Sequence, residues 1–235
     1  MLRSVSFPTA PVPVPDVVAR IADGRTVRPV WVNELGGTTF AIDSGTEYVK
    51  VDPVSSVLAA EVPRLRWAGA FTPVPRVLAS GPGWLHTAGL AGRSAVDPRW
   101  TREPRVAAHA VGAGLRRLHD ALPVADCPFG RPAWVPADAP AADRTVVCHG
   151  DACAPNTLLA DDGEFAGHVD LGDLGVADRW ADLAIATLSL GWNFPGGDVA
   201  AVLLDAYGVA PDDDRIAYYR RAWDAFDEGP GTPAG

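Results

Sequence analysis

The sequence predicts an α+β fold, because strand patterns fill its first part and helical patterns fill most of the rest. Three short strand-like runs between residues 27 and 51 predict a β meander. Apolar residues recur at helical spacing from 98 to 120, and a hairpin pattern lies between 157 and 169. The 235 residues, of which 48% are hydrophobic, can bury a substantial core as one large domain or two lobes.

Composition limits the possible partners and location. The formal net charge of −9 argues against a nucleic-acid partner, which would require a basic face. Cys127, Cys148 and Cys153 show no Cys-x-x-Cys spacing, so reduced thiols are expected. Prolines interrupt residues 1–15, which lack the apolar core of a signal peptide, and no run of about 18 apolar residues predicts a membrane span. We therefore expect a cytoplasmic protein with no membrane partner.

The N-terminal part is predicted to contain two helices and five strands. The expected elements are a helix at 15–22, strands at 27–33, 40–42 and 47–51, a helix that begins at Ser55, and strands at 74–79 and 84–87. Residues 35–39 are predicted to form the turn of the first hairpin. A glycine pair in a hairpin most often marks only a turn. Pro63 is expected to kink or end the second helix, because proline cannot donate the helical hydrogen bond.

The C-terminal part is predicted to be mainly helical around the hairpin. A long helix is expected from Pro98 to Asp120, and His119 is interpreted as a residue of its last turn rather than as a base. The proline-rich stretch 123–143 reads as a loop. The remaining expected elements are a strand at 145–148, the hairpin at 157–169, and helices that end at 190, 207 and 226.

A polar segment follows the strand at 145–148. A glycine in the segment 149–151 lets the backbone turn and direct the carboxylate of Asp151 away from the strand. Asp162 and Gly163 predict a type I′ turn, so the return strand brings Asp170 beside Asn156. We therefore expect Asp151, Asn156 and Asp170 to lie together at one end of the hairpin.

These three side chains suit one chemistry. A carboxylate such as Asp151 can accept a proton from a substrate hydroxyl, whereas the amide of Asn156 and the carboxylate of Asp170 offer the oxygen ligands that Mg²⁺ prefers. Magnesium bound in this way would hold nucleotide phosphates, which favours phosphoryl transfer. The alternative is that Asp151 and Asn156 only cap turns and that Asp162 and Gly163 form an ordinary hairpin. A metallohydrolase built on His149 and Asp151 is less favoured, because the five histidines show no ligand-like clustering.

The segments HGDACAPN at 149–156, VDLG at 169–172 and GVADRWADLA at 175–184 resemble the aminoglycoside phosphotransferase family, most closely its aminoglycoside 3′-phosphotransferases. The resemblance implies a two-lobed protein-kinase-like fold, with a nucleotide-binding lobe at 1–87, a hinge at 88–90 and a catalytic lobe at 91–235. It makes Asp151 the catalytic base, and it makes Asn156 and Asp170 the Mg²⁺ ligands. His149 and Asp182 would be supporting residues, with Asp182 a buried acceptor under the catalytic loop.

The resemblance also assigns the nucleotide site, for ATP or GTP. Lys50 would contact the phosphates and pair with Glu61, although an exposed lysine in a strand is the commoner case. The glycine-containing turn would lie over the phosphates, and the hinge backbone would face adenine. The residues implied for these two regions are Gly36, Gly37, Thr38 and Thr39 in the turn, and Thr87, Ala88 and Leu90 at the hinge.

The acceptor side departs from the family pattern. The stretch 123–143 lacks the additional helices whose acidic residues help bind the antibiotic, although Asp138 and Asp143 could partly substitute. Asp173 stands where antibiotic-modifying members carry arginine and would change the charge beside the acceptor pocket. Asp224 and Phe226 align with the C-terminal residues that contact the antibiotic.

These features predict a magnesium-dependent phosphotransferase that moves the nucleotide γ-phosphate to a small-molecule hydroxyl. The acceptor is expected to be cationic, because eight acids against three arginines follow residue 197. The 3′-hydroxyl of an aminoglycoside is the leading acceptor, and its modification would confer resistance. The alternatives are a kinase for another hydroxylated metabolite or antibiotic, and a nucleotide-binding pseudoenzyme.

Overall fold

The computed structural model describes residue 8 and residues 10–33, 36–52 and 55–227, without the side chains at 55–57 and 227. The chain divides into two compact units, Met1–Leu90 and Ala91–Gly235. Both strands and helices are present, which confirms the predicted α+β class. Cys127, Cys148 and Cys153, which all lie within the described residues, form no disulfide bond. In the described part of the chain, no helix is long and apolar enough to cross a membrane.

The first unit is built on an antiparallel sheet of five strands in the order β1-β2-β3-β5-β4. Its elements are α1 (Asp16–Ala22), β1 (Val27–Val32), β2 (Thr38–Ile42), β3 (Glu47–Val51), α2 (Ser55–Ala68), β4 (Val77–Gly81) and β5 (Trp84–Ala88). Val18 of α1 packs with Phe40, Ile42 and Val49 of β2 and β3 in a buried cluster. Burial of these apolar side chains fixes α1 against the sheet.

The first hairpin differs from the prediction, because Thr38 and Thr39 lie in β2 and not in the turn. They pair with Val51 and Lys50 of β3, where β-branched side chains suit a pleated sheet. The turn closes earlier, since the backbone N–H of Gly37 donates to Asn33 Oδ1 over 2.6 Å. Leu35, which was also predicted in this turn, lies outside the described residues.

Pro63 does not end α2, which continues for five residues beyond it. Proline cannot donate to the carbonyl of Ala59, one helical turn earlier. The Arg64 guanidinium donates to the adjacent carbonyl of Ala60 over 2.8 Å, and Pro63 itself is exposed. The break therefore lies on the solvent side of the helix, where a side chain and water can satisfy the backbone.

The second unit contains four helices and two small sheets within its described residues. Its elements are β6 (Arg93–Ser94), α3 (Pro104–Ala121), β7 (Thr145–Cys148), β8 (Thr157–Leu159), β9 (Phe165–His168), β10 (Gly175–Asp178), α4 (Arg179–Asn193), α5 (Val199–Tyr207) and α6 (Asp213–Asp227). β10 pairs with β7, and β8 lies between β6 and β9. Helix α3 packs on α5, and α4 packs on α6.

Helix α3 begins at Pro104, six residues later than predicted. Proline suits the first turn of a helix, where its missing N–H has no partner to lose. A single 3₁₀ turn, Trp100–Arg102, precedes it. The stretch 123–143 is irregular apart from one 3₁₀ turn, Val124–Asp126, so the predicted loop is confirmed.

The hairpin of β8 and β9 is confirmed, but its turn is not type I′. Type I′ requires positive φ at both central residues, and only Gly163 of the predicted pair has it, at +89°. Gly163 N–H donates to Ala160 over 3.0 Å, and Ala160 N–H donates to Glu164 over 2.8 Å. This is a three-residue loop that ends in a left-handed glycine.

We predict that Pro63→Ala raises the free energy of unfolding by about 2 kcal/mol, because alanine restores the helical hydrogen bond without losing a buried contact. Urea denaturation measures this change. Pro104→Ala is the matched control and should have little effect, since proline is favoured at the first helical position. Equal effects of the two substitutions would contradict the prediction.

Candidate active site

Strand pairing in the second unit places the polar residues of the hairpin. Val169 N–H donates to the carbonyl of Asn156 over 2.9 Å, which extends the β8–β9 ladder and brings Asp170 next to that residue. Asn156 Nδ2 donates to the carbonyl and to Oδ2 of Asp151, over 3.0 and 3.1 Å. Asp151, Asn156 and Asp170 therefore lie close together, and the charge of Asp170 acts on Asp151.

Asp182, on α4, supports the loop that carries Asp151. Its Oδ2 accepts the backbone N–H of His149 over 2.6 Å, and its Oδ1 accepts that of Gly150 over 3.0 Å. The carboxylate is buried, and His119 Nε2 contacts Oδ2 over 2.9 Å. Burial by itself would raise the pKa of the Asp182 carboxyl, but the His119 hydrogen bond and nearby charges hold that pKa below its usual value. Asp182 is thus a charged anchor beneath the loop.

Gly150 is required at its position for two reasons. Its φ is +86°, in the left-handed region that side chains disfavour. A Cβ at this position would also overlap the backbone carbonyl of Asp173. Close contact between the two backbone segments therefore brings the chain after Asp170 against the loop that carries Asp151.

The carboxylate of Asp151 has the properties expected of a general base. Its Oδ1 is buried and accepts no hydrogen bond from the described residues. Burial and the negative charge of Asp170 raise the pKa of Asp151, whereas contacts with Cys153, His149 and Asn156 oppose this change. A raised pKa makes the carboxylate a stronger proton acceptor, and the unpaired oxygen offers the position for a donor hydroxyl.

The donor set also fits a Mg²⁺ ion. The NH₂ group of Asn156 donates to Asp151, and this contact leaves the amide oxygen of Asn156 unused. The carboxylate of Asp170 is exposed, and its charge acts on Asp151. The amide oxygen of Asn156 and the carboxylate of Asp170, beside the like charge of Asp151, form an environment that a divalent cation stabilises.

In the first unit, Lys50 forms the expected ion pair with Glu61. The Lys50 ammonium is 2.9 Å from both carboxylate oxygens. Glu61 is buried on α2, whereas the Lys50 side chain is about one-quarter exposed on β3. The pair therefore holds a cationic group at a fixed place on the sheet, as a phosphate-binding lysine requires.

The first hairpin presents a closely packed glycine. A Cβ on Gly37 would overlap Asp52 Oδ2 and lie 2.6 Å from Asn33 Nδ2. Asn33 Nδ2 donates to Asp52 Oδ2 over 3.1 Å, and Gly36 has a φ of +86°. Asn33 and Asp52 thus form a polar contact at the base of this hairpin, and Gly37 packs closely against both side chains.

The structure changes the expectation for residues 87–90. Thr87 is buried in β5, which extends through Ala88. Ala88 N–H donates to Arg76 over 2.9 Å, and Gly89 N–H donates to Thr46 over 2.7 Å. These two N–H groups are therefore not available to adenine, so nucleobase recognition here would use Leu90 or carbonyl oxygens.

The acceptor-site candidates lie in different surroundings. Asp173 is exposed after β9, and Asp224 and Phe226 are exposed on the last turns of α6. Phe226 leaves 58% of its surface accessible. Asp143 accepts hydrogen bonds from Arg179 and Trp180 over 2.6 and 3.1 Å, so its charge is already compensated. A role for Asp143 in binding the phosphate-accepting substrate is therefore not supported.

The supporting roles of three residues, His119, Tyr207 and Trp134, were not predicted from the sequence. His119 is buried and contacts Asp182 and, over 2.8 Å through Nδ1, the hydroxyl of Tyr207. Trp134, from the irregular stretch, donates its indole N–H to Gly150. In the sequence, His119 lies on an apolar helix face and Trp134 lies in a proline-rich loop. Neither setting indicates which residue the side chain contacts.

His168 is a buried histidine beside this site. Neither ring nitrogen has a hydrogen-bond partner among the described residues, and the ring stacks on Phe165 and His149 with centroids 4.7 and 5.4 Å apart. Burial, aided by the charges of His149 and His119, lowers the pKa of His168 well below its usual value. The side chain is therefore neutral and contributes packing without hydrogen bonding.

Comparison with known proteins gives a consistent result. Residues 131–221 match the profile of a family described as the Phosphotransferase enzyme family. The streptomycin 3''-kinase of Streptomyces griseus is 32% identical over 81% of this chain and 88% of its own length. The aminoglycoside 3'-phosphotransferase of Streptomyces fradiae is 31% identical over 80% of this chain and 91% of its own length.

A solved structure agrees. Aminoglycoside phosphotransferase APH(3'')-Id from Streptomyces rimosus, in complex with ADP and streptomycin, superposes with a TM-score of 0.66 at 28% identity. The superposition covers 89% of this chain and 98% of that one. The likeness confirms the kinase-like α+β fold that the sequence predicted.

We predict that Asp182→Asn lowers the free energy of unfolding by about 3 kcal/mol at pH 7, because it leaves buried donors without their charged acceptor. The folded-state pKa of Asp182 lies below the unfolded value of 3.8, so its stabilisation is complete above that value and is lost as pH falls through the folded pKa. Urea denaturation should show that the difference in free energy of unfolding between wild type and Asp182→Asn shrinks as the pH is lowered from 7. The exposed Asp205→Asn is the control, and a constant difference would contradict this assignment.

We predict that His168→Leu raises the free energy of unfolding by about 1 kcal/mol, because leucine fills the site without burying two unpaired nitrogen atoms. Thermal unfolding at pH 7.5, about one unit above the ordinary histidine pKa, measures the gain. His109→Leu on the exposed face of α3 is the control and should leave the midpoint unchanged. A loss of stability in His168→Leu would mean that the ring nitrogens have partners.

Proposed function

The chain belongs to the aminoglycoside phosphotransferase family, and on this basis we propose that it transfers the γ-phosphate of ATP or GTP to a hydroxyl group of an aminoglycoside antibiotic. Phosphorylation of the drug would confer resistance. The proposal includes dependence on Mg²⁺ and a cationic acceptor. The sequence-based prediction of the 3′-hydroxyl is retained as the first candidate for the position modified.

One observation carries the proposal. Asp151 keeps a buried, unpaired carboxylate oxygen next to Asn156 and under the influence of Asp170. A turn-capping aspartate directs a side-chain oxygen to a nearby backbone N–H, whereas a base needs one oxygen free for the substrate hydroxyl. The intact set also argues against a pseudoenzyme.

The residues divide the reaction between them. Asp151 accepts the acceptor's hydroxyl proton at Oδ1, while Asn156 holds Oδ2 in place through its NH₂ group. Asp182 fixes the backbone on which Asp151 is carried. Lys50, held by Glu61, binds nucleotide phosphate. Mg²⁺ held by Asn156 and Asp170 would supply positive charge opposite the phosphate oxygens.

The position of the modified hydroxyl has a second candidate. Relatives of nearly equal identity carry names that specify either the 3′ or the 3″ position, so the family likeness favours neither. Streptomycin phosphorylated at its 3″-hydroxyl is therefore tested beside 3′-hydroxyl aminoglycosides.

Purified protein with Mg²⁺ and ATP should release ADP when an aminoglycoside is added, and the drug should gain one phosphate by mass spectrometry. The panel contains streptomycin, an aminoglycoside with a 3′-hydroxyl and its 3′-deoxy analogue. Loss of turnover with the deoxy analogue alone indicates the 3′ position. Chelation of Mg²⁺ should stop turnover, and added Mg²⁺ should restore it.

We predict that Asp151→Asn lowers kcat by roughly 10²- to 10⁴-fold, because an amide cannot accept the hydroxyl proton. The same ADP-release assay measures the change. Asp205→Asn, on the exposed face of α5, is the matched control and should keep the wild-type rate. Comparable rates for Asp151→Asn and wild type would reject the assignment, and no turnover with any aminoglycoside would reject the proposed substrate class.

A further inference from the structure

Trp134 makes a direct contact with the loop that carries Asp151. Its indole Nε1–H donates to the carbonyl oxygen of Gly150 over 2.5 Å, and only 4% of the residue's surface is accessible. The donor lies in the irregular stretch 123–143, and the acceptor is the residue directly before the base. A short, buried hydrogen bond of this kind restricts the backbone group that accepts it.

The accepting carbonyl belongs to the peptide group that joins Gly150 to Asp151. On the opposite edge of that peptide group, Asp151 N–H faces His149 Nδ1 over 3.3 Å. The preceding peptide group is held separately, because Gly150 N–H donates to Asp182. Trp134 therefore supplies the shorter of the two contacts that hold the peptide plane next to the base.

This restraint matters because Gly150 is glycine. Left-handed and right-handed backbone conformations have similar energies for glycine, so the peptide group that follows can rotate at small cost. Rotation would turn the Asp151 backbone and, with it, the direction of the carboxylate. The indole hydrogen bond favours the one orientation in which the carbonyl of Gly150 points at Trp134.

Helix α6 holds the indole in place. Trp134 packs edge-to-face on Trp223, with ring centroids 5.1 Å apart, and on Tyr219, with centroids 6.2 Å apart. The Trp223 indole nitrogen is buried and has no hydrogen-bond partner among the described residues. Two tryptophans thus lie in one cluster, but only the Trp134 N–H reaches the catalytic loop.

We propose that Trp134 is a positioning residue for the reaction, which fixes the peptide group before Asp151 and thereby aims the carboxylate. The proposal rests on the proposed role of Asp151. It links the irregular stretch 123–143 and α6 to the catalytic loop through one side-chain donor.

The test compares two tryptophans of the same cluster. Trp134→Phe removes the donor and should lower kcat by roughly tenfold, with the KM for ATP and for the acceptor changing by less than about twofold. Trp223→Phe keeps an aromatic ring against Trp134 and removes an indole N–H that has no hydrogen-bond partner among the described residues, so it should keep the wild-type kcat. Thermal midpoints of both variants report any loss of packing.

A shape-matched replacement separates hydrogen bonding from packing. Benzothienylalanine has the outline of tryptophan with sulfur in place of N–H, and it is introduced at position 134 or at position 223. At 134 it should reproduce the loss of kcat and accelerate amide hydrogen exchange of Asp151. At 223 it should change neither quantity.

Two results would overturn the proposal. One is an unchanged kcat and unchanged Asp151 amide exchange when benzothienylalanine replaces Trp134. The other is an equal loss of activity in the Trp134 and Trp223 variants that follows their loss of stability. The exchange measurement does not depend on turnover, so a wild-type protein inactive on every aminoglycoside would refute the substrate class while the Trp134 restraint is still tested.

Discussion

The buried carboxylate of Asp182 is the interaction on which the candidate site depends. It accepts the consecutive backbone N–H groups of His149 and Gly150 and is contacted from behind by His119. These N–H groups lie in a turn, where no strand or helix can satisfy them, and leaving them unpaired would cost several kcal/mol. The Asp182 carboxylate on α4 thus satisfies two backbone N–H groups that a strand or helix would otherwise satisfy, and it fixes the turn that leads to Asp151.

Local patterns predicted the elements that depend on neighbouring residues. The strand-like residue pattern at 47–51 predicted the bounds of β3, and turn residues predicted the hairpin that joins Asn156 to Asp170. Both features depend on contacts between residues close in sequence. The errors occurred where a longer-range contact decided the outcome. Helix α2 continues past Pro63 because the interruption faces solvent, and Thr38 and Thr39 join β2 because β3 lies beside them.

The candidate site shows the same division. Asp151, Asn156 and Asp170 belong to one short stretch with a recognisable spacing, and the resemblance also supplied Lys50. The residues that hold this stretch come from elsewhere in the chain. His119 lies 63 positions from Asp182, and Trp134 reaches Gly150 from a loop without periodicity. Contacts of this type depend on helix packing, which no sequence spacing encodes.

Helix α6 is attached unevenly along its length. Its first turn is anchored by Arg215, which binds the buried Asp178 over 2.5 Å, and its middle by Arg220, which donates to Thr187 over 3.0 Å. Its last turns, with Asp224 and Phe226, remain open to solvent. Substitutions there disturb little of the core, so this end of the helix can change in sequence while the rest of the chain keeps its fold.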